Sequence, residues 1–244
     1  MISKIIHYCW FGKQPLPEKL RKCVDSWGKY LPDYEFVEWN EERFNVESTA
    51  WTKQAYSLGK YAFVSDYVRL KALYEYGGIY LDTDVEVVKR FDSFLAHEAF
   101  GGFETQNTIT TGVIGASKGN PIIKQFLDSY EHTSFILPDG TLNNNSNVLR
   151  FTSILQEYGL TLNNKRQNVG GFEIYPKTYF CPLDVWHYKD ITENTYAIHY
   201  FEGSWLDEKT KKRIKKESKS CYKAYVWLKG RIGRIYHILL KDRS

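Results

Sequence analysis

The apolar positions of the first half fall into short runs and helical stripes that alternate along the chain. Residues 5–11 form a nearly continuous apolar run that reads as a buried strand, closed by Gly12 and the turn-rich Lys13-Gln14-Pro15-Leu16-Pro17. Pro17-Glu18 opens a helix to about Trp27, with Val24 and Trp27 among its apolar positions. Residues 34–39 alternate apolar with polar and read as a second strand. Strand, short helix and strand in succession predict a parallel pair. From about Thr52 to Tyr76 the pattern is helical, Gly77-Gly78 supplies the stop, and Ile79-Tyr80-Leu81 is the next strand. Residues 99–103 and 112–116 read as strands, and Asn120-Pro121 opens a helix to about Ser129. A polar loop over 142–147 with four Asn precedes a helix over 148–157, and 170–176 reads as a loop and short strand. No internal repeat is present. The order predicts an α/β nucleotide-binding half followed by a mixed α+β half.

Composition changes this picture in a few places. A chain of 244 residues fits one large domain, or one with a small appendage. Its 19 Tyr, 14 Phe and 7 Trp suit either a ligand cleft with flat walls or an aromatic core. The four cysteines, Cys9, Cys23, Cys181 and Cys221, have no C-x-x-C spacing, so free thiols in a reducing compartment are expected. The opening apolar run is too short for a signal peptide and no stretch reaches transmembrane length, which predicts a cytoplasmic protein.

The net charge of +4 hides an asymmetry. Residues 209–244 carry 13 Lys and Arg against Glu217 and Asp242, a balance of +11 that leaves −7 on residues 1–208. A mildly acidic body argues against a nucleic-acid partner, and a basic tail argues for an anionic one of its own. Within the tail, Cys221, Tyr225, Leu228, Ile232, Ile235 and Leu239 follow a 3–4 spacing, the mark of a basic amphipathic helix interrupted by Gly230 and Gly233. Such a helix either lies on an anionic membrane surface or packs its stripe on the domain or on a partner. The chain therefore divides into a domain over 1–208 and a tail over 209–244.

The chemistry concentrates near the third strand. Asp82-Thr83-Asp84 ends the apolar run, and in a strand two side chains two apart share a face. Two converging carboxylates make an oxygen site suited to Mg²⁺ or Mn²⁺, ions that commonly hold a diphosphate. Upstream, Asp66 and Arg69 are three apart on the predicted helix. They form either a surface ion pair or a pair that reads sugar hydroxyls and phosphate oxygens. The two pairs lie within 19 residues of each other, which favours one shared site.

Ser65-Asp66-x-x-Arg69 followed by Tyr76-Gly77-Gly78-Ile79-Tyr80-Leu81-Asp82-x-Asp84 resembles the signature of glycosyltransferase family 32. That family includes α-mannosyltransferases and bacterial capsular and lipopolysaccharide sugar transferases, and it is similar to the catalytic domains of clostridial glucosylating toxins. The opening Lys4 to Gly12 and the segment Ile198 to Trp205 also match. Weaker similarity covers much of residues 1–206 and stops short of the tail. The resemblance implies a GT-A type α/β fold with a mostly parallel central sheet flanked by helices. It implies a metal-dependent, retaining transfer of a hexose-type sugar from a nucleotide donor to a glycan or lipid-linked saccharide in cell-surface polysaccharide synthesis.

By the same resemblance Asp84 and Asp82 would bind Mn²⁺ or Mg²⁺, Asp82 would also reach the ribose, and His199 would be a third metal ligand. Asp66 and Arg69 would hold the donor sugar, and Trp10 matches a position that stacks on uracil, which favours UDP. Tyr80 would line the donor pocket, and Ser204 and Trp205 would close over the diphosphate as a lid. Tyr200 stands where some relatives carry a second His. No carboxylate stands out as a nucleophile, Glu104 being one of several acids, so a front-face mechanism is favoured. Thr110-Thr111-Gly112 and the Asn143–Asn147 loop are candidate acceptor-side elements. The competing readings are a non-catalytic carbohydrate-binding or scaffold protein on this fold, and a sugar nucleotidyltransferase. The second would require a Gly-rich phosphate loop, of which Gly12-Lys13-Gln14-Pro15 is a poor version.

Overall fold

The computed structural model describes residues 1–143, 145–183, 190–203 and 212. The strand-and-helix order follows the apolar pattern. β1 (Ile5–Cys9) leads through α1 (Glu18–Tyr30) to β2 (Glu35–Trp39). The two strands pair in parallel from Ile5 opposite Glu35 to Cys9 opposite Trp39. The helical stretch before the acid pair is two helices, α2 (Ala50–Ser57) and α3 (Tyr61–Tyr76), because the chain turns at Leu58-Gly59-Lys60. After α3 come β3 (Gly78–Leu81), β4 (Val85–Val87), β5 (Ala99–Gly102) and β6 (Val113–Ala116). Next are α4 (Pro121–Glu131), capped by Asn120 Oδ1 on the N–H groups of Ile122 and Ile123, and α5 (Asn147–Glu157). The last elements are β7 (Gln167–Val169), β8 (Phe172–Tyr175) and β9 (Ala197–His199). β4, β7 and β9, of three residues each, were not expected from the sequence pattern.

The main sheet has the order β2-β1-β3-β6-β5-β8-β7. β1 is parallel to both β2 and β3, β6 is antiparallel to β3 and β5, β5 is parallel to β8, and β7 is antiparallel to β8. Strands β1, β2, β3, β5 and β8 thus run one way, with β6 and β7 reversed, so the sheet is mostly parallel as expected. β4 and β9 form a separate antiparallel pair.

Two apolar layers cover the sheet. One packs α2 to α5 through Trp51, Val68, Leu73, Phe126 and Phe151, and the other packs α1 and the turn at Asp92–Phe94 through Trp27, Phe91, Phe94 and Phe180. The aromatic richness is therefore largely core: Phe94, for example, meets Phe100, Tyr175, Phe180 and Tyr196 at ring distances of 4.7–5.4 Å. Cys9, Cys23 and Cys181 are buried free thiols. Among the described residues no helix is long and apolar enough to cross a membrane.

This topology puts the switch point of the sheet at β1, whose neighbours β2 and β3 follow it on opposite sides. In open α/β sheets the crevice beyond the strand carboxyl ends at such a point is where ligands bind. Gly77 and Gly78 let α3 turn sharply into β3. Both have positive φ (67° and 111°), and a Cβ on Gly78 would come within 2.6 Å of the Ile5 carbonyl. α1 supports the far end of the site: Trp27 Nε1 donates to the Val85 carbonyl (2.8 Å), and Ser26 Oγ accepts from the Val87 N–H (2.9 Å).

Candidate active site

Asp82 leaves the end of β3, and Trp10 leaves the end of β1 beside it. The two acids do not share a strand face. β3 stops at Leu81, and Asp82 to Val85 is a turn closed by the Val85 N–H on the Asp82 carbonyl (3.0 Å). The expected alternation fails because pairing with β6 ends at Val113, after which the Asp82 N–H is held by the Gly112 carbonyl (2.9 Å). The acids converge through a third residue. β4 pairs with β9 so that Val85 faces His199, and the Tyr200 N–H donates to the Asp84 carbonyl (3.0 Å).

His199 Nε2 is 3.2 Å from Asp84 Oδ1 and 4.0 Å from Asp82 Oδ2. One ligand atom from each of Asp82, Asp84 and His199 lies within 4.8 Å of the others. Asp84 Oδ2 accepts from the Glu202 N–H (2.9 Å), and the Glu202 carboxylate pairs with Lys19 on α1. His199 Nδ1 is buried without a hydrogen-bond partner among the described residues, and the ring packs on Phe201 at 4.2 Å. Burial disfavours charge on His199, but the Asp84 carboxylate overrides it and holds the imidazole well above its ordinary range. Burial likewise opposes ionisation of Asp84, and His199 more than offsets it, so Asp84 is held low. Two carboxylates and an imidazole within one cluster fit the donor set of a divalent cation.

Behind this cluster lies a buried support. The Arg69 guanidinium lies 4.6 Å over the Tyr80 ring and donates to the Thr111 carbonyl (2.7 Å), to Asp66 Oδ1 (3.0 Å), to the Ser65 carbonyl (3.3 Å) and, more weakly, to Asp82. Arg69 is only 4% exposed, and through these bonds it holds Asp66, Asp82 and the segment leading into β6 in place. The Asp66–Arg69 pair is buried, which excludes the surface ion pair. Asp66 Oδ1 also accepts from Asn147 Nδ2 (2.5 Å) at the start of α5. Burial, only partly opposed by Arg69, pushes the Asp66 carboxyl up to about 6.

Tyr80 is 1% exposed and donates its hydroxyl to Asp82 Oδ1 (2.9 Å), so it stands behind Asp82. The Glu104 carboxyl is pushed up by burial, against the pull of His199, and feels Asp82 and Asp84. Trp10 is half-buried, its N–H donated to the Gln14 carbonyl (2.6 Å) and its backbone N–H to Trp39 (2.9 Å). Ser204, Trp205 and the tail over 209–244 lie outside the described residues, apart from Lys212. Two contributors escaped the sequence reading. Asn147 was read as part of an acceptor-side loop, but it binds Asp66. Gly112 was read as acceptor-side, but its missing side chain leaves room for Asp82 and His199. No local sequence signal marks either role.

Residues 17–101 match the family model described as the glycosyltransferase sugar-binding region containing DXD motif. The chain is 33% identical over 142 residues to inositol phosphoceramide mannosyltransferase 3 of Schizosaccharomyces pombe, a match that covers 55% of this chain and 38% of that protein. The chain thus spans well under two thirds of that relative's length. It is 26% identical to the uncharacterized glycosyltransferase L373 of Acanthamoeba polyphaga mimivirus, covering 84% of each. Among solved structures, the PaToxG glycosyltransferase superposes with a TM-score of 0.50 at 23% identity, covering 64% of this chain and 68% of that one. Residues 17–101 are thus similar to the DXD-containing sugar-binding region of glycosyltransferases, and the chain carries a GT-A type fold.

Proposed function

We propose that the chain is a metal-dependent, retaining glycosyltransferase that moves a hexose-type sugar from a nucleotide donor, UDP favoured, to a glycan or lipid-linked saccharide in cell-surface polysaccharide synthesis. The observation that carries this reading is the Asp82–Asp84–His199 cluster at the switch point of the sheet, with Trp10 leaving the same edge. Asp82, Asp84 and His199 would hold Mn²⁺ or Mg²⁺. When bound, such an ion neutralises the nucleoside diphosphate as it departs.

The remaining work falls to the chain's own groups. Trp10 offers a ring face to the base, and Asp66 accepts from hydroxyls of the transferred sugar. Arg69 and Tyr80 hold Asp82 and Asp66 in place from below. Thr110, Thr111 and the loop ending at Asn147 border the acceptor side. Ser204 and Trp205, beyond the described residues, are assigned the role of a lid that excludes water. Retention follows a front-face course. The bond from the anomeric carbon to the diphosphate oxygen breaks while the acceptor oxygen bonds on the same face, and the acceptor proton passes to the leaving diphosphate.

The Schizosaccharomyces pombe relative is a mannosyltransferase named for inositol phosphoceramide, which supports a hexose donor and a lipid-borne acceptor. A cytoplasmic enzyme held at the inner face of a membrane by its basic tail would meet such an acceptor. The test is release of UDP or GDP from a panel of UDP- and GDP-sugars with Mn²⁺, comparing wild type with Asp84→Asn. Metal-dependent release that Asp84→Asn abolishes in a still cooperatively folded protein is expected. Absence of release, and of metal-dependent nucleotide binding, with every donor would refute the reading.

A further inference from the structure

The loop after β1 is built with more constraint than a plain connection needs. Gly12 has φ +95° and Lys13 φ +57°, two successive residues in the left-handed region. For Lys13, which carries a side chain, that conformation is costly and persists only where surrounding contacts impose it. A Cβ on Gly12 would run into the ring of Tyr61, the first residue of the helix that carries Asp66 and Arg69.

The constraint comes from Glu41, in the turn after β2. Its Oε1 accepts from the Gly12 N–H (2.7 Å) and from the Tyr56 hydroxyl (2.8 Å). Burial opposes the charge on Glu41, yet the Gly12 N–H and neighbouring donors keep the carboxyl below its ordinary value. Tyr56 in turn packs against Tyr61 at 5.4 Å. One carboxylate therefore ties three elements together: the loop that carries Trp10, helix α2, and through the two tyrosines the start of α3. Gly12 is two residues from Trp10, and Trp10's own indole N–H is spent on Gln14 within the same loop. The plane of the Trp10 ring is thus set by the loop, and the loop is set by Glu41.

We propose that Glu41 is a positioning residue for the donor's base, fixing the Trp10 loop against the helix that carries Asp66 and Arg69. The inference rests on the reading that Trp10 receives the base of a nucleotide donor. Glu41 would touch neither base nor sugar. Its effect belongs in nucleotide affinity and not in turnover.

The experiment compares wild type, Glu41→Ala and Glu41→Gln by three readouts: amide hydrogen exchange at Gly12, calorimetric binding of UDP in the presence of Mn²⁺, and kcat with KM. Glu41→Ala should speed Gly12 exchange and weaken UDP binding about tenfold, with KM rising in step and kcat within about twofold, the size expected for loss of one charge-assisted hydrogen bond. Glu41→Gln keeps an acceptor oxygen and should recover most of that loss. Should Glu41→Ala fail to fold, Tyr56→Phe removes the second anchor and should show the same split at smaller amplitude.

Unchanged UDP affinity after Gly12 is freed would overturn the proposal, as would a kcat that falls with affinity or a Gln variant as weak as Ala. A wild type that protects Gly12 yet binds neither UDP nor GDP would overturn it differently. The contact would stand, but the functional reading beneath it would fail.

Discussion

Replacing Gly112 by alanine adds one methyl group between the two halves of the acid–histidine cluster. A Cβ there would stand 2.9 Å from Asp82 Oδ2, 2.9 Å from His199 Cε1 and 3.0 Å from His199 Nδ1. Comfortable contacts to carbon lie near 3.5–4.0 Å, so the methyl intrudes by roughly 0.5–1 Å. The backbone at Gly112 is not left-handed, and the cost is therefore steric alone. Neither neighbour yields easily. Asp82 is held by Tyr80 Oη (2.9 Å) and by Arg69, and the His199 ring is held between Asp84 and Phe201.

Overpacking of this kind costs about 1–3 kcal/mol of stability, and in a chain of this size each kcal/mol lowers Tm by roughly 2–4 °C. The effect on metal binding should be the larger one. Ligand positions must hold to about 0.2 Å, and changes next to a metal's ligands commonly weaken binding by about 10- to 100-fold. The assay is Mn²⁺ binding followed by the spectroscopic signal of the free ion, with thermal unfolding in the presence and absence of Mn²⁺. Gly101→Ala is the control: its Cβ would crowd Phe172 at 3.2 Å, a core contact away from the cluster, so stability should fall while Mn²⁺ affinity holds. Wild-type Mn²⁺ affinity in Gly112→Ala would refute the assignment of Asp82 and His199 to one metal centre.

Two further outcomes are expected. The folded protein holds a proton on Asp66 up to about pH 6, whereas an unfolded chain releases it near pH 4, so Asp66 contributes stability below pH 4 that is lost as pH rises through 6, about 3 kcal/mol in all. Asp66→Asn, which mimics the protonated form, should therefore raise Tm at pH 7.5 relative to wild type and leave it unchanged near pH 4. A variant less stable than wild type at pH 7.5 would contradict the sign. Deleting residues 209–244 removes a net charge of +11, and each base near an anionic surface contributes about 1 kcal/mol, so the truncated protein should leave liposomes rich in anionic lipid. Binding that survives truncation would refute the membrane role of the tail.

What could be read from the chain divides by distance along it. Short-range signals survived: the run over β1, the stop at Gly77-Gly78 and the cap at Asn120 each act within a few residues, and each element formed where the pattern put it. The Asp82–Asp84 pair was legible as chemistry but not as geometry. Its convergence depends on β4 and β9, three residues each and more than a hundred positions apart, too short for either to show a period. Asn147 reaches Asp66 across 81 residues, a contact fixed by the packing of α5 and invisible to local propensity.

Burial also altered the role of Arg69. A guanidinium exposed to substrate keeps donors free, but this one directs its donors to Ser65, Asp66, Asp82 and Thr111. It balances charge from behind the site. Asp66, Asp82, Asp84 and Glu104 then share a poorly solvated region in which, among the described residues, Arg69 and a protonated His199 are the main cations and Arg150 acts more weakly on Asp66, and both Asp66 and Glu104 resist ionisation there. When all four carboxylates are ionised, negative charge outnumbers positive charge in the region. A divalent cation between Asp82 and Asp84 would take the place of the His199 proton, add positive charge on balance and ease the ionisation of Asp66 and Glu104 together. The charge balance of the whole region, as well as the Asp82–Asp84 pair, thus favours a divalent cation at this place.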